Sequence, residues 1–160
     1  MAQKITPNLW FDGNAEEAAS FYVDVFDDGR ITNVSHYPEG TSSAGKVVTV
    51  EWELNGQAFI GINGGPQFKF DEAVSFMITC KDQAEVDYYW ERLTDGGAES
   101  QCGWLSDRFG LSWQVVPEGI DELFSDPDPT KAERAWQAMM KMRKLDVAEL
   151  RNAAEGVAAG

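Results

Sequence analysis

The sequence predicts an α+β fold made of two copies of one strand–helix–strands module. Two runs with helical spacing of apolar residues, 14–29 and 82–97, begin and end 68 residues apart. Each run follows a short apolar stretch typical of a strand, at 9–11 and 76–78. A unit repeated at fixed spacing indicates a duplicated module, and the meeting of two modules is a natural place for a pocket.

The first module, about residues 4–65, is predicted to contain one strand, one helix and three further strands. Asn14 and Glu17 have the spacing of a capping box, in which each side chain satisfies a free backbone amide at the helix start. Asn55-Gly56 predicts a tight hairpin, because both central positions of a type I′ turn need a positive φ. The predicted strands cover 5–11, 31–37, 46–54 and 57–62.

The second module, about residues 72–117, repeats this order. A strand is predicted at 74–80, a helix at 82–97 and two shorter strands at 100–105 and 112–116. Several strands follow each helix and are expected to be mostly antiparallel neighbours, unlike the regular alternation of a doubly wound fold. We expect both modules to form a single domain over residues 1–125.

Residues 126–160 are predicted to form a helical tail. Thr130 is the expected cap of a helix that carries Met139 and Met142, and a second short helix is expected near Asp146. Residues 130–151 carry six basic and three acidic side chains, whereas residues 1–129 carry seven basic and 23 acidic ones. A basic tail on an acidic body can dock against that body or against a second copy of it, and a solvated helix face is the alternative.

The composition disfavours two classes of partner. A net charge of −14 argues against nucleic acid, whose binding depends on clustered Lys and Arg. No apolar run approaches the roughly 18 residues that a membrane helix needs. No basic segment followed by an apolar one opens the chain, so no signal peptide is expected. Cys80 and Cys102 are then expected to be reduced thiols of a cytoplasmic protein.

Eight stretches of the chain carry a family likeness: 5–13, 18–22, 50–56, 59–66, 68–70, 102–107, 110–117 and the tail from 126. Taken together they resemble the PhnB-like proteins of the glyoxalase/bleomycin-resistance (vicinal oxygen chelate) superfamily. The resemblance implies paired βαβββ modules that form a curved mixed sheet around a cavity, and it implies a homodimer. It covers nearly the whole chain.

Metal-dependent members of that superfamily hold a divalent cation with four side chains, usually His or Gln and Glu. Matching those positions to this chain gives Pro7, Gly61, Ser75 and Gln114. Pro and Gly offer no side-chain donor, and Ser is a poor ligand for a d-block cation. Pro7 and Ser75 are 68 residues apart, as a duplicated ligand pair should be. We therefore expect no catalytic metal and no other cofactor.

Some relatives are described as demethylubiquinone methyltransferases. The chain lacks the Gly-rich turn from strand to helix that usually binds a nucleotide-like methyl donor. The glycine-containing segment 61–65 leads toward Pro66 and not into a helix. The residues themselves give no support for methyl transfer.

A candidate pocket follows from the predicted alignment of the two modules. One face of the strands presents an apolar wall with a few hydrogen-bonding groups, which suits a small organic ligand, although the same side chains could also fill a closed core. Trp104 is the best candidate for stacking on a planar ligand. The predicted ligand-binding residues are Phe59, Asn63, Ser75, Met77, Thr79, Trp104 and Gln114.

Three other features have both a chemical and a structural interpretation. Cys102 is either an accessible thiol or an inert small apolar residue, and His36 is either a titrating group or a solvent-facing side chain. Glu51 and Glu53 share a strand face and form either an acid–base pair or an outward hydrophilic row.

We therefore expect a small-molecule-binding protein or a metal-independent enzyme of unknown reaction. A metal-dependent lyase or dioxygenase is one alternative. A partner-binding protein that acts through its basic C-terminal helices is the other.

Overall fold

The computed structural model describes residues 3–157, and within that range it contains eight strands and five helices. The strands are β1 (Asn8–Phe11), β2 (Arg30–His36), β3 (Val47–Leu54), β4 (Gln57–Asn63), β5 (Ser75–Cys80), β6 (Ala98–Glu99), β7 (Trp104–Ser106) and β8 (Ser112–Pro117). The helices are α1 (Ala15–Val25), α2 (Gln83–Thr94), α3 (Ile120–Phe124), α4 (Pro129–Met139) and α5 (Val147–Ala154).

The strands form two four-stranded mixed sheets with the same topology. The first sheet has the order β1-β4-β3-β2, and the second has the order β5-β8-β7-β6. In each sheet the first strand pairs in parallel with the last strand of its module, and the other pairs are antiparallel. The predicted α+β class and the duplicated strand–helix–strands order are confirmed. The chain divides into two compact units, one ending at Phe70 and one beginning at Asp71.

The first unit packs small residues of α1 against large aromatic side chains of the sheet. Ala15, Ala18 and Ala19 are fully buried on α1, which lets the helix approach the sheet closely. The Trp52 ring stacks on Phe59 at 5.8 Å and lies 5.9 Å from the Tyr22 ring of α1. The predicted Asn55-Gly56 hairpin is present, and both residues have a positive φ.

The second unit places larger residues on its helix. Val86, Trp90 and Leu93 of α2 are buried, as are Leu105, Trp113 and Val115 of the sheet. Asp107 is only 3% exposed, and its carboxylate accepts hydrogen bonds from the backbone N–H groups of Phe109 and Leu111 and from Trp113 Nε1. A buried carboxylate with three donors is well satisfied, so Asp107 fixes the turn between β7 and β8.

The tail packs against the second module. A buried cluster joins Ile120 of α3 to Met142, Leu145 and Leu150 of the tail, and Val116 of β8 packs against it. The backbone N–H groups of Cys102 and Gly103 donate to the carbonyls of Met142 (2.9 Å) and Arg143 (2.8 Å). Arg143 and Lys144 form ion pairs with Glu99 and Asp87 of the same unit. Two of the basic tail residues therefore contact the acidic module that precedes them.

The predicted tail elements need two corrections. Helix α4 begins at Pro129, and its cap is Asp128, whose side chain accepts from Thr130 N, so Thr130 is not the cap. The five-residue α3 was not expected, because so short an apolar segment has no clear helical period. The second tail helix begins after Asp146 as predicted, and Asp146 accepts from Glu149 N.

The helix starts also differ from the predicted capping. Asn14 makes no side-chain cap hydrogen bond, so the expected capping box is absent from α1. Asn63 Oδ1 of β4 accepts from Ala15 N at 2.9 Å instead. In the second module the cap is present: Asp82 accepts from Glu85 N, and the Glu85 carboxylate accepts from the backbone N–H of Lys81, the residue before the cap.

The spacing of the repeat is 68 residues in the helices and 69 in the first strands. Buried Tyr22 and Val25 of α1 match buried Trp90 and Leu93 of α2 at a spacing of 68. The buried, helix-facing residues of β1, Leu9 and Phe11, instead match Ile78 and Cys80 of β5 at a spacing of 69. Three residues connect β1 to α1, but only two connect β5 to α2.

This one-residue difference overturns the predicted equivalence of Pro7 and Ser75. Successive side chains of a strand alternate between its faces, so a shift of one residue exchanges the faces. Pro7 has the parity of helix-facing Leu9, whereas Ser75 lies on the face away from the helix.

Candidate functional site

The sheet of the second module has a face turned away from α2. Helix α2 covers the alternate positions, which include buried Ile78, Trp113 and Val115. The remaining positions of β5, β7 and β8 point to the opposite side, and we call this side the open face of the second module. It carries Ser75, Met77, Thr79, Trp104, Ser106, Ser112, Gln114 and Val116. Of these, Ser112 is buried and Val116 packs against the hydrophobic cluster of the tail.

Five of the seven predicted site residues lie together on this face. Gln114 is the partner of Met77 in the parallel pair and of Trp104 in the antiparallel pair, so these three residues form one row across the sheet. Ser75 lies beside the row and Thr79 follows Met77 along β5. Directly opposed residues have their side chains within contact distance, so the row forms a continuous surface.

A hydrogen bond fixes the polar part of this face. Gln114 Nε2 donates to Ser75 Oγ at 2.9 Å, which leaves Gln114 Oε1 available as an acceptor. Met77 is 61% exposed, and Trp104 and Gln114 are half-buried. The face therefore combines an aromatic ring, a thioether and an oriented amide.

The open face of the second module is uncharged. Its eight residues include no Asp, Glu, Lys, Arg or His, although 25% of the chain is charged. The corresponding face of the first module carries Glu51, Glu53 and Arg30, and Arg30 pairs with Glu53 at 2.7 Å. Glu51 and Glu53 thus lie on a partly hydrated sheet face, and Glu53 has a structural partner.

The other two predicted site residues, Phe59 and Asn63, lie on the helix-facing side of the first sheet. Phe59 is 6% exposed and stacks on Trp52 in the core. The Asn63 side chain accepts from Ala15 N and donates to the Val47 carbonyl. Both residues therefore lie on the helix-covered side of their own sheet.

The positions expected to match a metal site do not form a suitable set of donors. Gly61 faces α1, because an added Cβ would lie 2.9 Å from the Trp52 ring and 3.2 Å from Ala15 Cβ. Ser75 and Gln114 hydrogen bond to each other, and Pro7 has no donor side chain. In the described range, no group of three or more His, Cys, Asp or Glu side chains is placed to hold a metal ion. The expectation of no catalytic metal stays a prediction.

The two cysteines have different surroundings. Cys80 is buried, and burial together with nearby Glu85 and Asp82 raises the pKa of its thiol to about 12. Cys102 is half-buried, and its Sγ lies 3.8 Å from Met140 Sδ. Cys80 is therefore protonated at neutral pH and is a poor nucleophile.

The first module contains a cleft that the sequence did not predict. It has a volume of about 710 Å³ and lies where β1 and β4 end and where β2 and β3 are joined by a long loop. His36, at the end of β2, is exposed and contributes to it. The other lining residues are Asp12, Gly13, Glu16, Tyr37, Ser43, Gly45, Lys46, Val47, Asn63, Gly64 and Gly65. No local sequence signal identifies this cleft, because its residues come from four separate segments, 12–16, 36–37, 43–47 and 63–65.

The glycine-containing segment of the first module has no resemblance to a methyl-donor site. Strand β4 ends at Asn63, and residues 64–70 contain no helix. A phosphate- or nucleotide-binding turn needs a helix that begins directly after the glycines. The described residues therefore do not fit a methyl donor bound in that way.

Two duplicated βαβββ modules, each with a parallel outer strand pair, define a protein of the vicinal oxygen chelate class. The model of the family described as 3-demethylubiquinone-9 3-methyltransferase matches residues 3–116. The chain belongs to this family, whose members include the PhnB-like proteins.

Solved structures agree with this assignment. A PhnB protein from Bacillus cereus is 36% identical to this chain with a TM-score of 0.65, over 72% of this chain and 99% of that one. Protein PA1353 from Pseudomonas aeruginosa is 23% identical with a TM-score of 0.61, over 73% and 98% of the two chains. The fosfomycin resistance protein FosX from Mesorhizobium loti is 14% identical with a TM-score of 0.58, over 78% and 98%. The last two similarities support the fold alone.

No curated protein matches the chain. None of the helices between residues 3 and 157 is long and apolar enough to cross a membrane. Helices α3 to α5 lie beyond residue 116, where the family match ends.

Proposed function

We propose that this protein binds a small, uncharged organic molecule on the open face of the second module, without a metal ion. One observation carries the proposal: Met77, Gln114 and Trp104 form a row on an uncharged sheet face, with Ser75 holding the amide of Gln114. In a chain of net charge −14, a charge-free face of this extent favours a neutral ligand.

The chemistry of the row favours a planar molecule with one polar group. An indole ring stacks well on a planar ligand, and a thioether adapts its shape to an apolar edge. The free Oε1 of Gln114 accepts a hydrogen bond from an N–H or O–H group, and this polar contact fixes the orientation of the ligand.

Binding is better supported than catalysis on this face. General acid–base chemistry needs a titratable side chain within hydrogen-bonding distance of the reacting group. The eight residues of the face include no such side chain. Its serine and threonine residues would need an adjacent base to act as nucleophiles, and the face supplies none. A metal-independent reaction would have to use groups of the ligand itself or residues from outside this face.

The proposal includes a homodimer in the cytoplasm. The dimer is the arrangement that the family resemblance implies, and both cysteines are free thiols, which suits a reducing compartment. Size-exclusion chromatography with light scattering measures the mass in solution. A mass of twice 17.7 kDa is expected, and a monomer would remove the dimer from the proposal.

The binding proposal is tested with benzamide, which has a planar ring and a neutral amide. Its charged analogues, benzoate and benzylammonium, are the matched ligands. We expect isothermal titration calorimetry to show the tightest binding for benzamide. A charged ligand loses its hydration on binding, and an uncharged face has no opposite charge to offset that free-energy cost.

Two substitutions locate the binding. Gln114→Ala and Trp104→Leu are each expected to weaken benzamide binding by about tenfold, the equivalent of one lost stacking or hydrogen-bonding contact. Gln101→Ala and Trp136→Leu are the matched controls, because Gln101 and Trp136 are exposed residues of the same unit that lie off this face. Equal effects of the site and control variants, or equal affinity for the three ligands, would contradict the proposal.

A further inference from the structure

The cleft of the first module is a second candidate binding site. It is distinct from the open face of the second module, and its 710 Å³ lies within the range of about 300–1,000 Å³ that small-molecule sites occupy. We propose that this cleft binds a small zwitterion, a molecule with an ammonium group and a carboxylate joined by a short chain.

The floor of the cleft is held firmly by backbone and side-chain contacts. The N–H groups of Gly64 and Gly65 donate to the Phe11 carbonyl, and Trp10 Nε1 donates to the Gly65 carbonyl at 2.9 Å. The Trp10 ring packs so closely on Gly64 that a Cβ there would lie 2.2 Å from it. A preformed floor of this kind lowers the ordering cost of binding.

Asn63 joins the floor to three neighbouring elements. Its side chain bridges Ala15 N of α1 and the Val47 carbonyl of β3. Its own carbonyl accepts from Tyr37 Oη at 3.2 Å. Asn63 thereby positions the walls of the cleft, and its predicted contact with a ligand stays a prediction.

The walls carry charges of both signs from different parts of the chain. Asp12 and Glu16 come from the β1–α1 connection and the first turn of α1, whereas Lys46 borders the β2–β3 loop. Within the described range, Lys46 forms no ion pair with Asp12, Glu16 or any other acidic residue.

The presence of both signs of charge in one cleft determines the ligand class. A simple anion would be repelled by Asp12 and Glu16, and a simple cation would leave Lys46 unmatched. A zwitterion satisfies both walls at once, with its ammonium group toward the carboxylates and its carboxylate toward Lys46. The cleft is thus expected to favour paired charges over either charge alone.

The test uses glycine, β-alanine and γ-aminobutyrate, whose charges are separated by increasing lengths of chain. Acetate and methylammonium carry the same groups singly. In ¹H–¹⁵N NMR titrations of the full chain, we expect at least one of the three zwitterions to shift the amide signals of Gly13, Gly64 and Gly65. Neither single ion is expected to do so at the same concentration.

Matched variants show which charges act. Glu16→Gln is compared with Glu17→Gln, its exposed neighbour on α1, which does not line the cleft. Lys46→Gln is compared with Lys69→Gln, since Lys69 is an exposed residue of the same compact unit and does not line the cleft. Glu16→Gln and Lys46→Gln should each weaken binding of the preferred zwitterion by about tenfold, as the loss of a charged hydrogen bond predicts.

Three results would overturn the inference: no zwitterion shifts the glycine signals, the single ions bind as well, or the control variants weaken binding as much. None of these results bears on the benzamide experiment, because that site lies on a different module. The two proposals therefore fail or stand separately.

Discussion

The two modules share one topology but differ on both faces of their sheets. On the helix side, the first module packs three alanines against Trp52 and Phe59, whereas the second places Val86, Trp90 and Leu93 on its helix. On the open side, the first has an Arg30–Glu53 ion pair and the second has no charged residue. A duplicated fold can thus keep its hydrogen-bonding scheme while its surfaces acquire different chemistry.

The modules also differ in how their outer strands are supported. Strands β2 and β3 have seven and eight residues, whereas β6 and β7 have two and three. The second module has the tail in addition, which binds the segment before β7 through Cys102 and Gly103. We infer that the tail supplies stabilisation that a longer hairpin supplies in the first module.

The largest effect is expected from Leu145→Ala in the tail. Leu145 is 1% exposed and packs against Gly103, where an added Cβ would lie 3.1 Å from Leu145 Cδ1. Removing this side chain should lower the free energy of unfolding by about 2–5 kcal/mol. Denaturant unfolding measures the change, with Val157→Ala, an exposed tail residue, as the control. A loss no greater than that of the control would show that the tail does not support the module.

A smaller loss is expected from Gly61→Ala in the first module. The new methyl group would lie 2.9 Å from Trp52 Cζ3 and 3.2 Å from Ala15 Cβ, so the core would be overpacked by about 1–3 kcal/mol. In a Trp52→Leu background, where the smaller side chain leaves room for the methyl group, Gly61→Ala should lower stability by less than it does in the wild-type chain. Thermal unfolding of the single and double variants tests the interpretation. Strictly additive effects would contradict direct contact between the two sites.

The helix starts of the two modules should respond differently to alanine. Asp82→Ala removes an observed cap and should cost about 1 kcal/mol, whereas Asn14→Ala removes no cap hydrogen bond and should cost much less. Asn63→Ala should resemble Asp82→Ala, because Asn63 accepts from Ala15 N. Chemical denaturation ranks the three variants. A larger loss for Asn14→Ala than for Asn63→Ala would contradict the assigned caps.

The smallest effect concerns Lys144 and Asp87. A hydrogen bond from Lys144, and to a smaller extent one from Gln83, lowers the pKa of Asp87 below its ordinary value of 3.8. The ionised Asp87 therefore stabilises the fold above pH 3.8, and this stabilisation is lost as the pH falls through the lowered pKa. Lys144→Ala should raise the pKa of Asp87, as followed by NMR of its carboxyl carbon. An unchanged pKa would mean that Gln83 alone causes the shift. The effect on stability should be slight because both side chains are exposed.

The sequence predicted the features that depend on local periodicity. The 68-residue spacing of the helices follows from the apolar faces of α1 and α2, and Asn55-Gly56 predicted its hairpin from the φ angles of two residues. The family resemblance was confirmed because it combines many stretches across the chain.

Features that depend on distant contacts were not predicted from the sequence. One extra residue between β1 and α1 exchanges the faces of the first strand, so Pro7 is not the counterpart of Ser75. The cap of α1 comes from Asn63, 48 positions away from Ala15, and no local pattern reveals it. Phe59 was placed in the pocket because strand parity alone does not tell which face a helix covers.

The most direct test of the difference between the two open faces is an NMR titration that follows the indole N–H signals of the tryptophans. Trp104 lies on the open face of the second module. Trp10 lies on the corresponding face of the first module, and Trp113 is buried. Benzamide should shift the Trp104 signal and leave those of Trp10 and Trp113 in place. A shift of Trp10 instead, or no shift at all, would contradict the assignment of ligand binding to the uncharged face.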